Sequence, residues 1–149
     1  MVAGSRLACM SEALSDDEIG FLLDVVELAR QGQTARLAEL LDAGVPVNLT
    51  NAAGDSLLIL AAYHDHRDTV RMLLARGADT ERVNDRGQTA LGSAVFRRSA
   101  DVVEQLLGAG ADPQHGGRSA MEVAQFFQLS EMIALLHQRP VDDGPQPTA

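Results

Sequence analysis

Leu73-Leu74-Ala75-Arg76-Gly77-Ala78-Asp79 returns 33 residues downstream as Leu106-Leu107-Gly108-Ala109-Gly110-Ala111-Asp112. Other columns keep the same register: Gly44, Gly77 and Gly110 lie 33 apart, and so do Leu40-Leu41, Leu73-Leu74 and Leu106-Leu107, and Gly54 with Gly87. A period of roughly 20 to 50 residues is the mark of a solenoid, in which each unit buries its apolar face only against its neighbours. The fold question therefore reduces to what one unit contains.

One unit reads as two short helices and a turn. Ser56 caps a first helix through Leu57, Leu58, Ala61 and Ala62. After a break at His64-Asp65, Val70, Leu73 and Leu74 stand at i, i+3 and i+4 on a second helix. Gly77 follows at the position where a left-handed residue closes a helix and any Cβ is penalised. Thr89, Leu91, Ala94, Val102, Val103, Leu106, Leu107 and Gly110 repeat the scheme. Ala in the first helix keeps it thin where two helices lie close.

The ends read as capping units. Ser15 to Glu18 is a capping box opening a long helix through Leu22, Leu23, Val25, Val26 and Leu28, followed by Gly32, Leu37, Leu40 and Leu41. From Thr89 to Ser119 is 30 residues instead of 33, so the last turn has lost three. Ser119-Ala120-Met121-Glu122 is a second capping box, and Met132, Ile133, Leu135 and Leu136 close the stack. The expected fold is an all-α solenoid of four helix-turn-helix units joined by short hairpin-like turns. It spans 15–138, with units at about 16–50, 51–83, 84–116 and 117–138. Residues 1–14 are expected as a disordered lead, with Met10 an alternative start, and 139–149 as a disordered Pro/Asp tail.

Composition narrows the function. The 149 residues hold 12 basic and 21 acidic side chains, a net charge of −9, and every basic one is Arg. Phosphate backbones are bound by cations, so a general nucleic-acid role is excluded. Aromatics make up 3% of the chain and Trp is absent, so the core is aliphatic. Cys9 stands alone and forms no internal disulfide. No apolar run has the length of a signal peptide or a membrane span. The chain is read as cytoplasmic, without membrane or nucleic-acid partners, and monomeric on its own.

These columns resemble the ankyrin repeat. Arg86-Gly87-Gln88-Thr89-Ala90-Leu91 is similar to that family's Gly-x-Thr-Pro-Leu segment, and the two quoted heptapeptides match its Leu-Leu-x-x-Gly-Ala-Asp signature, over about Asp16 to Gln138. There are departures. The family's Pro is Leu57 or Ala90, its His is Ile59, Gly92 or Glu122, and its inter-helix Gly survives only as Gly32, with Asp65, Arg98 and Gln128 elsewhere. The resemblance implies a stand-alone bacterial-type ankyrin-repeat protein that binds other proteins, without catalysis, cofactor or metal. It is also similar to bacterial proteins that accompany factors supporting catalase and peroxide tolerance, so stress tolerance or the regulation of an effector is the expected setting.

In such repeats, the resemblance implies, the end of each first helix and the turn tips before it line a concave face. That column holds Arg30, Tyr63, Phe96 and Phe126, with His64, Arg97 and Phe127 beside it; the tips supply Ala52, Ala53 and Asp55, then Asp85, Arg86 and Gln88, then Arg118. The expected partner-binding residues are Tyr63, His64, Asp85, Arg86, Gln88, Phe96, Arg97, Arg118 and Phe126, with Phe127 filling a gap between helices. Aromatics interleaved with Arg have the composition of binding hot spots. With Arg86, Arg97, Arg98 and Arg118 on that face, the partner is expected to be a protein with an acidic and apolar surface.

Two other chemistries have matching residues in the chain. Gly54-Asp55-Ser56-Leu57 with Asp112-Pro113-Gln114-His115 reads as a Ser56-dependent ester hydrolase, His115 acting as base and Asp112 orienting it. Against it, the period already explains Gly54, Ser56 and Asp112 as turn and cap positions. His64-Asp65-His66-Arg67-Asp68 has the ligand types of a divalent-metal site, but on a bend whose spacing does not converge. His115 and His137 are expected to face solvent.

Overall fold

The computed structural model describes residues 15–138. The expected disordered lead and tail, the alternative start at Met10 and the setting of Cys9 lie outside the described residues. Among those described, eight helices follow in pairs: α1 Asp16–Gln31 with α2 Thr34–Asp42, α3 Leu57–Tyr63 with α4 Arg67–Ala75, α5 Ala90–Phe96 with α6 Ala100–Gly108, and α7 Ala120–Phe126 with α8 Ser130–Gln138.

Side-chain oxygens set the starts of the inner helices. Ser56 Oγ accepts from the Ile59 amide at 3.1 Å and Thr89 Oγ1 from the Gly92 amide at 3.0 Å. Both capping boxes close: Ser15 Oγ accepts from Glu18 N while the Glu18 carboxylate accepts from Ser15 N, and Ser119 and Glu122 do the same. Each such cap stabilises its helix by about 1 kcal/mol. Ser99, not singled out from the sequence, caps α6 through the Val102 amide at 3.4 Å.

The helices form two layers. α1, α3, α5 and α7 pack in succession as the inner layer, and α2, α4, α6 and α8 as the outer one. Ala29, Ala61, Ala62, Ala94 and Ala124 are fully buried at the inner contacts, which is the close approach that small side chains permit. Leu37, Leu73, Leu106 and Leu136 are buried on the outer helices and join Val25, Val70 and Val102 in one continuous core.

Outer helices end as the glycine column requires. Gly77 N donates to Leu74 O at 3.0 Å and Ala78 N to Leu73 O at 3.1 Å, and Gly110 and Ala111 repeat the pair on Leu107 and Leu106. The inner helices close with the same pair of bonds. Asp65 N reaches Ala62 O and His66 N reaches Ala61 O; Arg98 and Ser99 donate likewise to Val95 and Ala94. The residue at the bend is left-handed in all four units, with φ of 74° at Gly32, 60° at Asp65, 58° at Arg98 and 56° at Gln128. Three units thus keep the turn after losing its glycine. A Cβ in this region costs roughly 1–2 kcal/mol, partly offset by the larger unfolded-state entropy of Gly, so Arg98→Gly is expected to raise stability by about 1 kcal/mol, read from the urea midpoint at constant slope.

Gly32 has a second reason to be glycine. A Cβ there would stand 2.6 Å from His66 Nδ1, while His66 Nε2 lies 2.8 Å from the Arg30 carbonyl. His66 therefore ties the second unit to the first. His115 is a parallel case and corrects the expectation that it faces solvent: half-buried, its Nε2 lies 2.8 Å from the Glu81 carbonyl of the preceding unit.

Candidate functional site

The groove is assembled from the turns before the inner helices and from those helices' last residues. In the turns before α3 and α5, an asparagine organises the tip. Asn51 Oδ1 accepts from the Ala53 and Asp55 amides, and 33 residues on, Asn84 Oδ1 accepts from the Arg86 and Gln88 amides at 2.9 Å each. Asn84 Nδ2 donates to Asp55 Oδ1 at 2.7 Å, fastening one tip to the previous one. Asp85 N donates to Ala53 O, and Arg118 N donates to Gly87 O at 2.9 Å. The 33-residue spacing of Asn51 and Asn84 was a readable signal that the sequence reading passed over.

At the opposite ends of the inner helices the rings form a ladder. Tyr63 and Phe96 stack at 6.0 Å with planes 7° apart; Phe96 meets Phe127 edge-on at 5.7 Å, and Phe127 meets Phe126 at 4.9 Å. His64 stands edge-on to Tyr63 at 5.1 Å, and the Arg97 guanidinium lies 5.7 Å from the Tyr63 ring centre. Tyr63, Phe96, Phe126 and Phe127 are 39%, 45%, 78% and 45% exposed, against the burial of almost every aliphatic position around them. Phe127 therefore does not fill a gap, as expected for it, but stands as a rung of the ladder.

Between the tips and the rings lies a cavity of about 460 Å³. Its floor is Ile59, Leu60, Gly92, Ser93 and Val123; its rim is Arg30, Tyr63, His64, Arg86, Gln88, Phe96, Arg118 and Phe127, with Asp55. Of the residues expected for the partner face, Tyr63, His64, Arg86, Gln88, Phe96 and Arg118 line this cavity together. Asp85, Arg97 and Phe126 are exposed beside it, Arg97 over Tyr63 and Phe126 beyond Phe127. Arg30, Asp55 and Phe127, expected on or beside the concave face but not among its contacts, line the cavity as well.

Charge is unevenly spent. Arg30 pairs with Glu27 at 2.9 Å, Arg76 grips Asp42 with two bonds, and Arg36, Arg67, Arg71 and Arg82 also meet carboxylates. Among the described residues, Arg86, Arg97, Arg98 and Arg118 have no carboxylate partner. Of these, Arg86 and Arg118 line the cavity and Arg97 lies over the Tyr63 ring, in a chain of net charge −9.

His64 feels that field. Its pKa is lowered from 6.5, first by partial burial and then by repulsion from His66, Arg30 and Arg97, with Glu27 opposing. The unfolded chain takes up the proton first, so stability is fully present above pH 6.5 and is lost as the pH falls below it through the depressed folded value. His64→Gln is expected to narrow the difference in melting temperature between about pH 7.5 and about pH 5.5.

The alternative chemistries do not assemble. Ser56 is 2% exposed with its oxygen used by Ile59 N, Asp112 Oδ1 is taken by Gln114 N, and His115 is on Glu81; no hydrogen bond links the three. His66 is committed to the Arg30 carbonyl, and among the described residues no group of three or more His, Cys, Asp or Glu side chains converges as metal ligands would. Nor, among them, is any helix long and apolar enough to cross a membrane.

A model of three ankyrin repeats matches residues 25–116. A curated ankyrin repeat protein of the bacterium Pseudomonas aeruginosa is 56% identical over 52 residues, which is 35% of this chain and 30% of that relative. The chain thus matches under a third of that relative's length. Ankyrin repeats generally mediate protein–protein interaction. The match over most of the chain, with the paired helices and left-handed closures that carry it, makes the chain a member of the ankyrin repeat family.

Proposed function

We propose that this chain is a non-catalytic binding module whose concave groove holds a partner protein with an acidic and apolar surface. One observation carries the reading: three half-exposed rings in contact, Tyr63 stacked on Phe96 and Phe127 edge-on to it, beside arginines that no carboxylate of the described chain neutralises. Exposed rings beside cations are the make-up of an interface hot spot, where desolvation on docking makes both contributions large. Tyr63, His64, Asp85, Arg86, Gln88, Phe96, Arg97, Arg118 and Phe126 are the proposed contacts, joined by Phe127. The proposed setting is the bacterial cytoplasm, where a monomer of this kind serves stress tolerance, including peroxide and catalase functions, or restrains an effector.

The test is affinity capture from native lysate with the wild type and a Tyr63→Ala, Phe96→Ala, Arg97→Ala variant. These side chains are exposed, so the variant is expected to keep the wild-type circular dichroism and lose the partner. A partner retained equally by both proteins sinks the groove reading and directs attention to the outer helices.

A further inference from the structure

We propose that the groove selects an extended segment in which acidic and bulky apolar residues alternate, carboxylates on the turn-tip edge and apolar side chains on the ring edge. This rests on the reading that the concave face binds a protein, and specifies what that protein presents.

The two edges differ in kind. Arg86 and Arg118 stand on the tips before α5 and α7, while Tyr63, Phe96 and Phe127 stand at the far ends of the inner helices. The inner helix α5 has 7 residues, so the edges are about 10 Å apart at 1.5 Å per residue. Width decides the form of the occupant. An α-helix with its side chains is roughly 10–12 Å across and would ride above the edges, whereas an extended chain fits between them and sends successive side chains to opposite sides. Along the groove the rings are 6.0 and 5.7 Å apart. That is close to the roughly 6.5 Å between alternate residues of a twisted strand, so every second side chain meets a ring.

Charge fixes the other half of the pattern. Arg86 and Arg118 have no carboxylate partner among the described residues, and the carboxylates nearby are engaged, Asp55 accepting from Asn84 at 2.7 Å and Asp85 having a partner of its own. Carboxylates at alternate positions of the segment would supply what this edge lacks, each a charge-assisted pair with a guanidinium. Gln or Ser at those positions would leave the arginines unneutralised.

The experiment is fluorescence anisotropy of three labelled, end-blocked peptides against the full chain: Ser-(Glu-Leu)3-Ser, its Gln-for-Glu counterpart, and a peptide of the first composition with Glu and Leu in separate blocks. The alternating acidic peptide is expected to bind about tenfold or more tighter than either other, with Kd rising as salt is added. Arg86→Glu with Arg118→Glu, both exposed and expected to leave the fold intact, is expected to abolish this preference. Equal binding of the Gln or blocked peptide, no binding of any peptide, or indifference to the double reversal each overturns the proposal. Phe96→Ala separates the two readings. If it removes binding that the charge reversal leaves untouched, the groove remains the binding face and only the acidic alternation falls.

Discussion

Leu106→Ala is expected to cost about 3–4 kcal/mol, among the largest losses available from one side chain in this fold. Leu106 is fully buried on α6, the outer helix of the third unit, which packs against α4 on one side and α8 on the other. A cavity there loosens two interfaces at once. In a solenoid, stability is a sum of unit and nearest-neighbour terms, so the lesion lowers the coupling of units two, three and four together. Against a total of roughly 5–15 kcal/mol, it brings the chain near its unfolding threshold. Urea denaturation followed by circular dichroism checks this. A loss under about 1 kcal/mol would mean that the outer layer does not couple the units. Phe96→Ala is the contrast, a half-exposed ring whose removal is expected to cost little stability and much binding.

The second large effect belongs to Gly116→Ala, expected to cost about 2–4 kcal/mol and to disturb the groove. Gly116 has φ of 95°, and a Cβ there would stand 3.0 Å from both Gly87 O and Thr89 Cγ2. One neighbour is backbone and the other belongs to a buried cap, so neither yields cheaply. The same tip places Arg118, whose amide donates to that Gly87 carbonyl. The variant is expected to lose both cooperativity at the last unit and affinity for acidic peptide, while Gly108→Ala, where a Cβ meets nothing within 4 Å, serves as the control. Wild-type stability in Gly116→Ala would show that the shortened turn rearranges freely.

Most of the fold was readable because its determinants are periodic and local. Ser56, Thr89 and the two capping boxes act through amides three residues away, and Leu73 and Leu106 are buried by position on a helix face. The site was less so. Columns place Cα atoms, and Phe126 does occupy the Tyr63 and Phe96 column, but ring direction depends on side-chain torsions. In the terminal unit it is Phe127, one residue later, that reaches Phe96 and the cavity. Contacts between units were equally hidden: nothing in the sequence alone says that His115 seeks the Glu81 carbonyl or that Asn84 holds Asp55. The left-handed bends show the reverse, since Asp65, Arg98 and Gln128 read as departures yet adopt the backbone of the glycine they replace. Packing on both sides imposes the turn, and the residue carries the strain.

The ring ladder also gives the molecule an optical property. The chain has 1 Tyr and no Trp, so ultraviolet emission excited beyond the absorption band of its phenylalanines comes from Tyr63 alone. That chromophore sits inside the groove, with Phe96 against one side, His64 at its edge and the Arg97 guanidinium over its ring. Any ligand that dries the cavity or draws Arg97 away changes the surroundings of the chain's one tyrosine. The protein therefore reports the occupancy of its own groove, in the light it emits, without a dye.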